Sequence, residues 1–129
     1  MPEEKPDEKK TFKELLISTL QAFPEHPSDT QIAEWKKIYP AVLSSGMGDD
    51  EIFIFRPITR KEYRDIQEES MKDPSIPFED RVVEKRVLWA SHPEVLQTKA
   101  GTIPALSEQI LASSNFINPE MASRLVVKL

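Results

Sequence analysis

The residue pattern points to an α+β fold that is mostly α-helical, with about six short helices and one β-hairpin. Helix starts give the first sign. Thr11–Glu14 and Thr59–Glu62 have the spacing of capping boxes, and Ser28 with Gln31 repeats it. The second sign is Glu51-Ile52-Phe53-Ile54-Phe55, almost wholly β-branched and aromatic, which follows the turn-rich Gly46-Met47-Gly48-Asp49-Asp50. Size is the third: 129 residues with no repeat of solenoid period suit one core.

Residues 1–10 carry acids, lysines and prolines without apolar periodicity, so they read as a flexible arm preceding a single domain over 11–129. Phe12, Leu15, Leu16, Leu20 and Phe23 fall on one face of a helix that Pro24 stops. Ser28 opens a second helix bearing Ile32, Trp35, Tyr39 and Val42, which Pro40 ends early. Ala41–Ser44 and Glu51–Phe55 then form the hairpin. An isolated two-stranded ribbon is marginal in water, so it must lie on the chain's own helices or pair with a further strand, one from a partner included. Thr59–Glu62 starts a helix carrying Tyr63 and Ile66, and Asp73-Pro74-Ser75-Ile76-Pro77 breaks the chain.

Phe78–Ala90 reads as one helix with Val83, Val87 and Ala90 inward, ended by Ser91-His92-Pro93, and Gln97–Thr102 reads as loop. Pro104 sits in the first turn of another helix with Ile103, Leu106, Ile110 and Leu111 as its stripe. Asn118 and Pro119 cap and start a last one. Leu125-Val126-Val127-Lys128-Leu129 is too apolar to stay in solvent and is expected to dock on the core or on a neighbour, as helix or as added strand.

Composition removes several function classes. Net charge near −5 disfavours phosphate backbones and anionic lipid, so nucleic acid is not the expected partner. No apolar run approaches the roughly 20 residues that span a bilayer, and the first residues lack the apolar region of a secretion signal. Without cysteine there is no disulfide, thiol nucleophile or thiolate metal site. His26 and His92 each precede proline in a turn and lie outside metal-ligand spacings, and three glycines in all leave no phosphate cradle. Ser44-Ser45 and Ser113-Ser114 lack a nucleophile elbow. The carboxylate pairs Asp49-Asp50, Glu68-Glu69 and Glu79-Asp80 read as solvated faces. No catalytic residue, cofactor or metal is expected.

The informative stretch is Phe53–Tyr63, a strand running through an Arg-Pro corner into a capped helix. Arg60 and Lys61 occupy the first helical turn, where the positive end of the dipole disfavours them, so something must compensate. Either acids of the same fold do so, or Arg56 or Arg60 grips a carboxylate of another protein with its planar fork. Trp35, Tyr39 and Trp89 are core residues on one reading and interface anchors on the other. The candidate site is therefore a protein interface centred on Phe53, Phe55, Arg56, Arg60 and Tyr63, with Trp89 nearby.

These segments also carry a resemblance. Ile32-Ala33-Glu34-Trp35-Lys36-Lys37-Ile38-Tyr39, the stretch Phe53–Tyr63, Glu84-Lys85-Arg86-Val87-Leu88-Trp89, Ala100–Ile110 and Ser114-Asn115-Phe116 resemble the tail assembly chaperones or baseplate hub assembly proteins of large contractile-tailed bacteriophages. The resemblance covers roughly residues 30–116. The chain differs from that pattern at Pro40, where glycine is common, and at Ala90, where proline is common. It implies a non-enzymatic role in tail or baseplate morphogenesis, as chaperone or minor structural subunit. The partners would be other tail or baseplate proteins, homo-oligomers are allowed, and the location would be the infected bacterial cytoplasm or the virion tail. The competing reading is a peptide-binding adaptor that uses an exposed hairpin edge, in which Ile54→Pro would abolish binding and leave the helices folded.

Overall fold

A computed structural model describes residues 11–46, 51–114 and 124–129. Three antiparallel strands, β1 (Leu43–Gly46), β2 (Ile52–Phe55) and β3 (Val87–Ala90), form a sheet in the order β1-β2-β3. Among the described residues six helices lie wholly in view beside it: α1 (Phe12–Gln21), α2 (Asp29–Ile38), α3 (Arg60–Lys72), α4 (Phe78–Glu84), α5 (Val95–Thr98) and α6 (Thr102–Ser113). The architecture is α+β and mostly helical, as the residue pattern implies.

Caps placed the helices. Thr11 and Thr59 each accept the N–H of the residue three positions on, while Glu14 and Glu62 reach back to the cap N–H, which closes both boxes. Ser28 accepts from the Gln31 N–H at the start of α2, and that helix ends before Pro40.

The central strand has no solvent face, every residue of β2 being buried. Alternation sends Ile52 and Ile54 to one side, where they meet Leu20 with Leu16, Phe23, Trp35 and Trp89 around them. Phe53 and Phe55 go to the other, into the main core with Ile66, Val82, Val83, Leu106 and Ile110. The sheet is thus a middle layer, with α1 and α2 on one side and α3 to α6 on the other. Burial on both faces is why β2 reads as an unbroken apolar run rather than an alternating one.

Three local expectations are corrected. The helix expected over Phe78–Ala90 stops at Glu84, and its last residues turn into β3. Val87, Leu88 and Trp89 favour an extended backbone, and β3 satisfies the edge of β2 that a lone hairpin would leave open. The pairing runs Phe53↔Ala90, Ile54↔Trp89 and Phe55↔Val87, with an irregularity at Ile54/Phe55. It continues at both ends through the Arg56 N–H to the Arg86 carbonyl and the Ser91 N–H to the Ile52 carbonyl. Second, β1 lies two residues later than expected and takes in Gly46, above which Leu16 of α1 packs closely. Third, the stretch expected as loop, Gln97–Thr102, contains the end of the one-turn α5 and the first residue of α6.

The helix expected after Asn118, the arm over 1–10 and the turn residues 47–50 lie outside the described residues. Leu125, Val126 and Val127 do not dock on the core, since each is at least 70% exposed. Among the described residues no helix is long and apolar enough to cross a membrane.

Phe53 is fully buried at the centre of both the sheet and the main core. Phe53→Ala is expected to lower unfolding stability by about 3–5 kcal/mol, the range for emptying a large aromatic site. Urea unfolding followed by tryptophan fluorescence and far-UV circular dichroism checks it, and a change below about 1 kcal/mol would mean the site is not the core centre.

Candidate protein-binding groove at the sheet edge

The expected interface does not assemble as a surface. Phe53 and Phe55 are core residues, and Arg56 is 7% exposed and engaged within its own chain. Its two terminal nitrogens donate to both Glu62 carboxylate oxygens, Nη1 to Oε1 at 2.9 Å and Nη2 to Oε2 at 2.7 Å. Nη1 also donates to the Pro57 carbonyl, and the guanidinium lies 4.6 Å over the Tyr39 ring. Arg86 approaches the same carboxylate at 3.7 Å, and the Thr59 N–H donates to it at 3.0 Å. The carboxylate that compensates the Arg-Pro corner is therefore Glu62, on the first turn of α3.

Tyr63 is half-buried and meets Phe78 edge-on in the main core layer, whereas Trp89 meets Phe23 on the other face of the sheet. Arg60 is exposed on α3, and among the described residues it makes no ion pair. Its neighbour Lys61 pairs with Asp65 one turn on. The six residues thus fall into four environments, and the anchors expected to touch a partner mostly hold the fold.

The Arg56 fork is the main cause that carries the Glu62 carboxyl from an ordinary 4.5 to about 2, with the Thr59 N–H and the charge of Arg86 acting in the same direction. Arg56 is pushed up by the same bond, while burial pushes Arg86 down. Because the folded state depresses Glu62, the stabilisation is fully present above the ordinary carboxylate value and is lost as pH falls toward about 2.

No constellation of three His, Cys, Asp or Glu able to hold a metal occurs among the described residues. The His26 ring is bonded to the Pro27 carbonyl, and His92 bonds to Ser91 and packs edge-on against Phe23. A charged cavity of about 180 Å³ opens between α3 and α4, but its acids are largely tied up in ion pairs: Glu62 faces Arg56 and Arg86, Asp65 pairs with Lys61, and Glu69 pairs with Arg81.

The opening with the character of a binding surface is elsewhere. β1 pairs with β2 on one side only, and no strand among the described residues pairs with its outer edge. A groove of about 510 Å³ runs along that strand, with Phe55 beneath it, Phe12 of α1 on one wall and Gln109, Ala112 and Ser113 of α6 on the other. None of these residues is charged. Phe12 is 71% exposed, and the side-chain oxygen of Gln109 is buried without a donor. Backbone groups along an edge that no described strand pairs, together with largely apolar walls, suit an extended, weakly charged segment of polypeptide.

Sequence reasoning reached the idea of a strand edge but took Ile54 as part of it. Ile54 belongs to the central strand, so Ile54→Pro would break two ladders and the core rather than an edge. Phe12, Gln109 and Ala112 were missed because they converge from distant segments, and the one local signal was a helix beginning on an exposed Phe. No protein-family model, curated protein or solved structure matches the chain.

Glu62→Gln leaves two buried guanidinium groups facing a neutral amide. Stability is expected to fall by about 2–3 kcal/mol near neutral pH, less than for a wholly buried pair because Glu62 keeps some solvent exposure. Measured by urea unfolding across pH, the gap between wild type and variant is expected to stay constant above about pH 5 and to close below about pH 4 as the wild-type carboxylate protonates. A gap independent of pH would show that the ion pair is not its source.

Proposed function

We propose that this chain is a non-enzymatic assembly protein that binds other proteins by taking an extended segment along β1, and that it acts in the tail or baseplate morphogenesis of a contractile-tailed bacteriophage. The observation that carries the binding half is the uncharged groove beside a strand edge that no strand among the described residues pairs. The resemblance over roughly residues 30–116 carries the process half.

Physical chemistry supports the mode of binding. Main-chain bonds to a strand edge supply affinity with little sequence demand, and apolar walls supply selectivity for alternate side chains. Phe12, Leu15 and Ile17 leave α1 with more apolar surface in solvent than a finished helix face needs. Such a surface fits a protein whose final neighbours belong to a larger assembly, whether it stays there as a minor subunit or leaves as a chaperone. In that role the chain works in the cytoplasm of the infected cell, and as a subunit it also ends in the virion.

Ala112 is an exposed residue of the groove wall, so Ala112→Arg fills the groove without touching the core. Unfolding stability is expected to move by no more than about 0.5 kcal/mol, as for an ordinary surface change, while the yield of infectious particles from a phage carrying the variant falls. Quantitative mass spectrometry of mature particles against infected-cell lysate, normalised to a major tail protein, tests the process. Fixed stoichiometry in particles identifies a structural subunit, and abundance in lysate alone identifies a chaperone. Absence from both would overturn the phage role and leave the peptide-binding adaptor.

A further inference from the structure

A second groove, of about 560 Å³, opens where α4, β3, α5 and the start of α6 meet. Val83, Val87, Leu96 and Ile103 give it aliphatic walls, and the lining also takes in Ile76, 44% exposed. Among the described residues its charges are Asp80 and Glu84, both acids. They stand four residues apart on α4 and so share a face, where like charges repel. Glu84 is also the last residue of that helix, at the negative end of the dipole.

The cations that could offset this pair are engaged elsewhere. Arg81 pairs with Glu69 and Asp73, Lys99 pairs with Glu51, and Lys85 lines the cavity between α3 and α4. Arg86 senses the charge of Glu84, but its guanidinium approaches Glu62. Among the described residues neither Asp80 nor Glu84 makes an ion pair. Asp80 is half-buried beside aliphatic groups, where a carboxylate without a counter-charge is costlier than in open water.

We infer that this groove docks a segment of a partner protein that carries lysine or arginine beside aliphatic side chains. Charge selects that chemistry, since the two carboxylates attract ammonium and guanidinium groups and repel phosphate, which disfavours nucleic acid and anionic lipid on the same face. Shape agrees with it. Aliphatic side chains of the segment meet Val87, Leu96 and Ile103, and a long basic side chain lays its methylene stem on the same walls with its head at Asp80 and Glu84. The groove shares no residue with the one along β1, so the inference stands apart from the reading of that strand edge. With both occupied, one chain holds two neighbours.

The test titrates the full chain with a peptide of alternating leucine and lysine and with its leucine–glutamate counterpart, followed by calorimetry and methyl NMR. The lysine peptide is expected to bind and to shift the methyl resonances of Val87, Leu96 and Ile103, and the glutamate peptide is expected not to bind. Asp80→Asn/Glu84→Gln is expected to weaken the lysine peptide about tenfold. Glu25→Gln/Glu34→Gln removes the same charge from exposed positions outside the groove and is expected to leave the affinity unchanged. Far-UV circular dichroism checks that both variants keep the fold. Equal loss in the two variants would reduce the binding to a general attraction toward an acidic chain and overturn the inference. So would binding of the glutamate peptide, methyl shifts confined to other residues, or binding of neither peptide. Ala112→Arg is expected to leave the affinity unchanged, so this groove and the one along β1 stand or fall separately.

Discussion

A four-residue strand with no side open to water is what the rest of the molecule is arranged around. Ile52 to Phe55 can be buried on both faces only if two separate helical layers cover them and two further strands satisfy their backbone. The layers are unequal. The layer of α3 to α6 supplies most of the buried residues, whereas α1 buries only Leu20 and α2 buries none. Local opening is cheapest where buried apolar contacts are fewest, so α1 and α2 form the less protected side of the fold. Phe12, the wall of the groove contributed by α1, sits at the far end of that layer and is free to adjust to whatever lies along β1.

Where β2 leaves the sheet, two demands converge on Glu62. The cap N–H of Thr59 needs an acceptor, and the buried Arg56 needs a counter-charge. One carboxylate meets both, while Lys61 of the same turn pairs with Asp65. The arrangement is costly, since the Nε atoms of Arg56 and Arg86 are buried without partners, and an apolar corner of similar volume would be no less stable. Its value lies in direction: the fork fixes the angle at which α3 departs from the strand and holds α3 over the main core. Losing either partner exposes the desolvation that the pair otherwise hides.

Local chemistry made much of this legible in advance. Both capping boxes and the Ser28 cap hold in three dimensions because they involve residues three apart, whose contacts do not depend on the rest of the fold. β3 was hidden because Val83, Val87 and Ala90 keep helical spacing across the point where the chain turns extended, and only pairing with β2 decides between the two. The expected interface failed for a related reason. Aromatic and arginine side chains are enriched both in binding hot spots and in small cores, so Phe53, Phe55 and Arg56 could not be assigned to one or the other from type alone. The groove itself needs Phe12, Leu43 and Ala112 side by side, and proximity between segments so far apart is a property of the folded sheet.

Open strand edges are usually protected, and here the protection is partial. One edge of β2 is closed by β3 and the other by β1, which passes the exposure outward by one strand rather than removing it. β1 is short, carries Ser44, Ser45 and Gly46, and is flanked by helices on both layers, so a flat aggregating sheet cannot stack on it, while a single strand can enter. Neither charge nor proline blocks the entry from inside the groove. A fold selected only to stand alone would gain by placing a lysine there, as natural edge strands often do. Keeping the edge short, uncharged and walled admits one extended segment and excludes a second sheet. That combination is the physical signature of a surface meant to be filled.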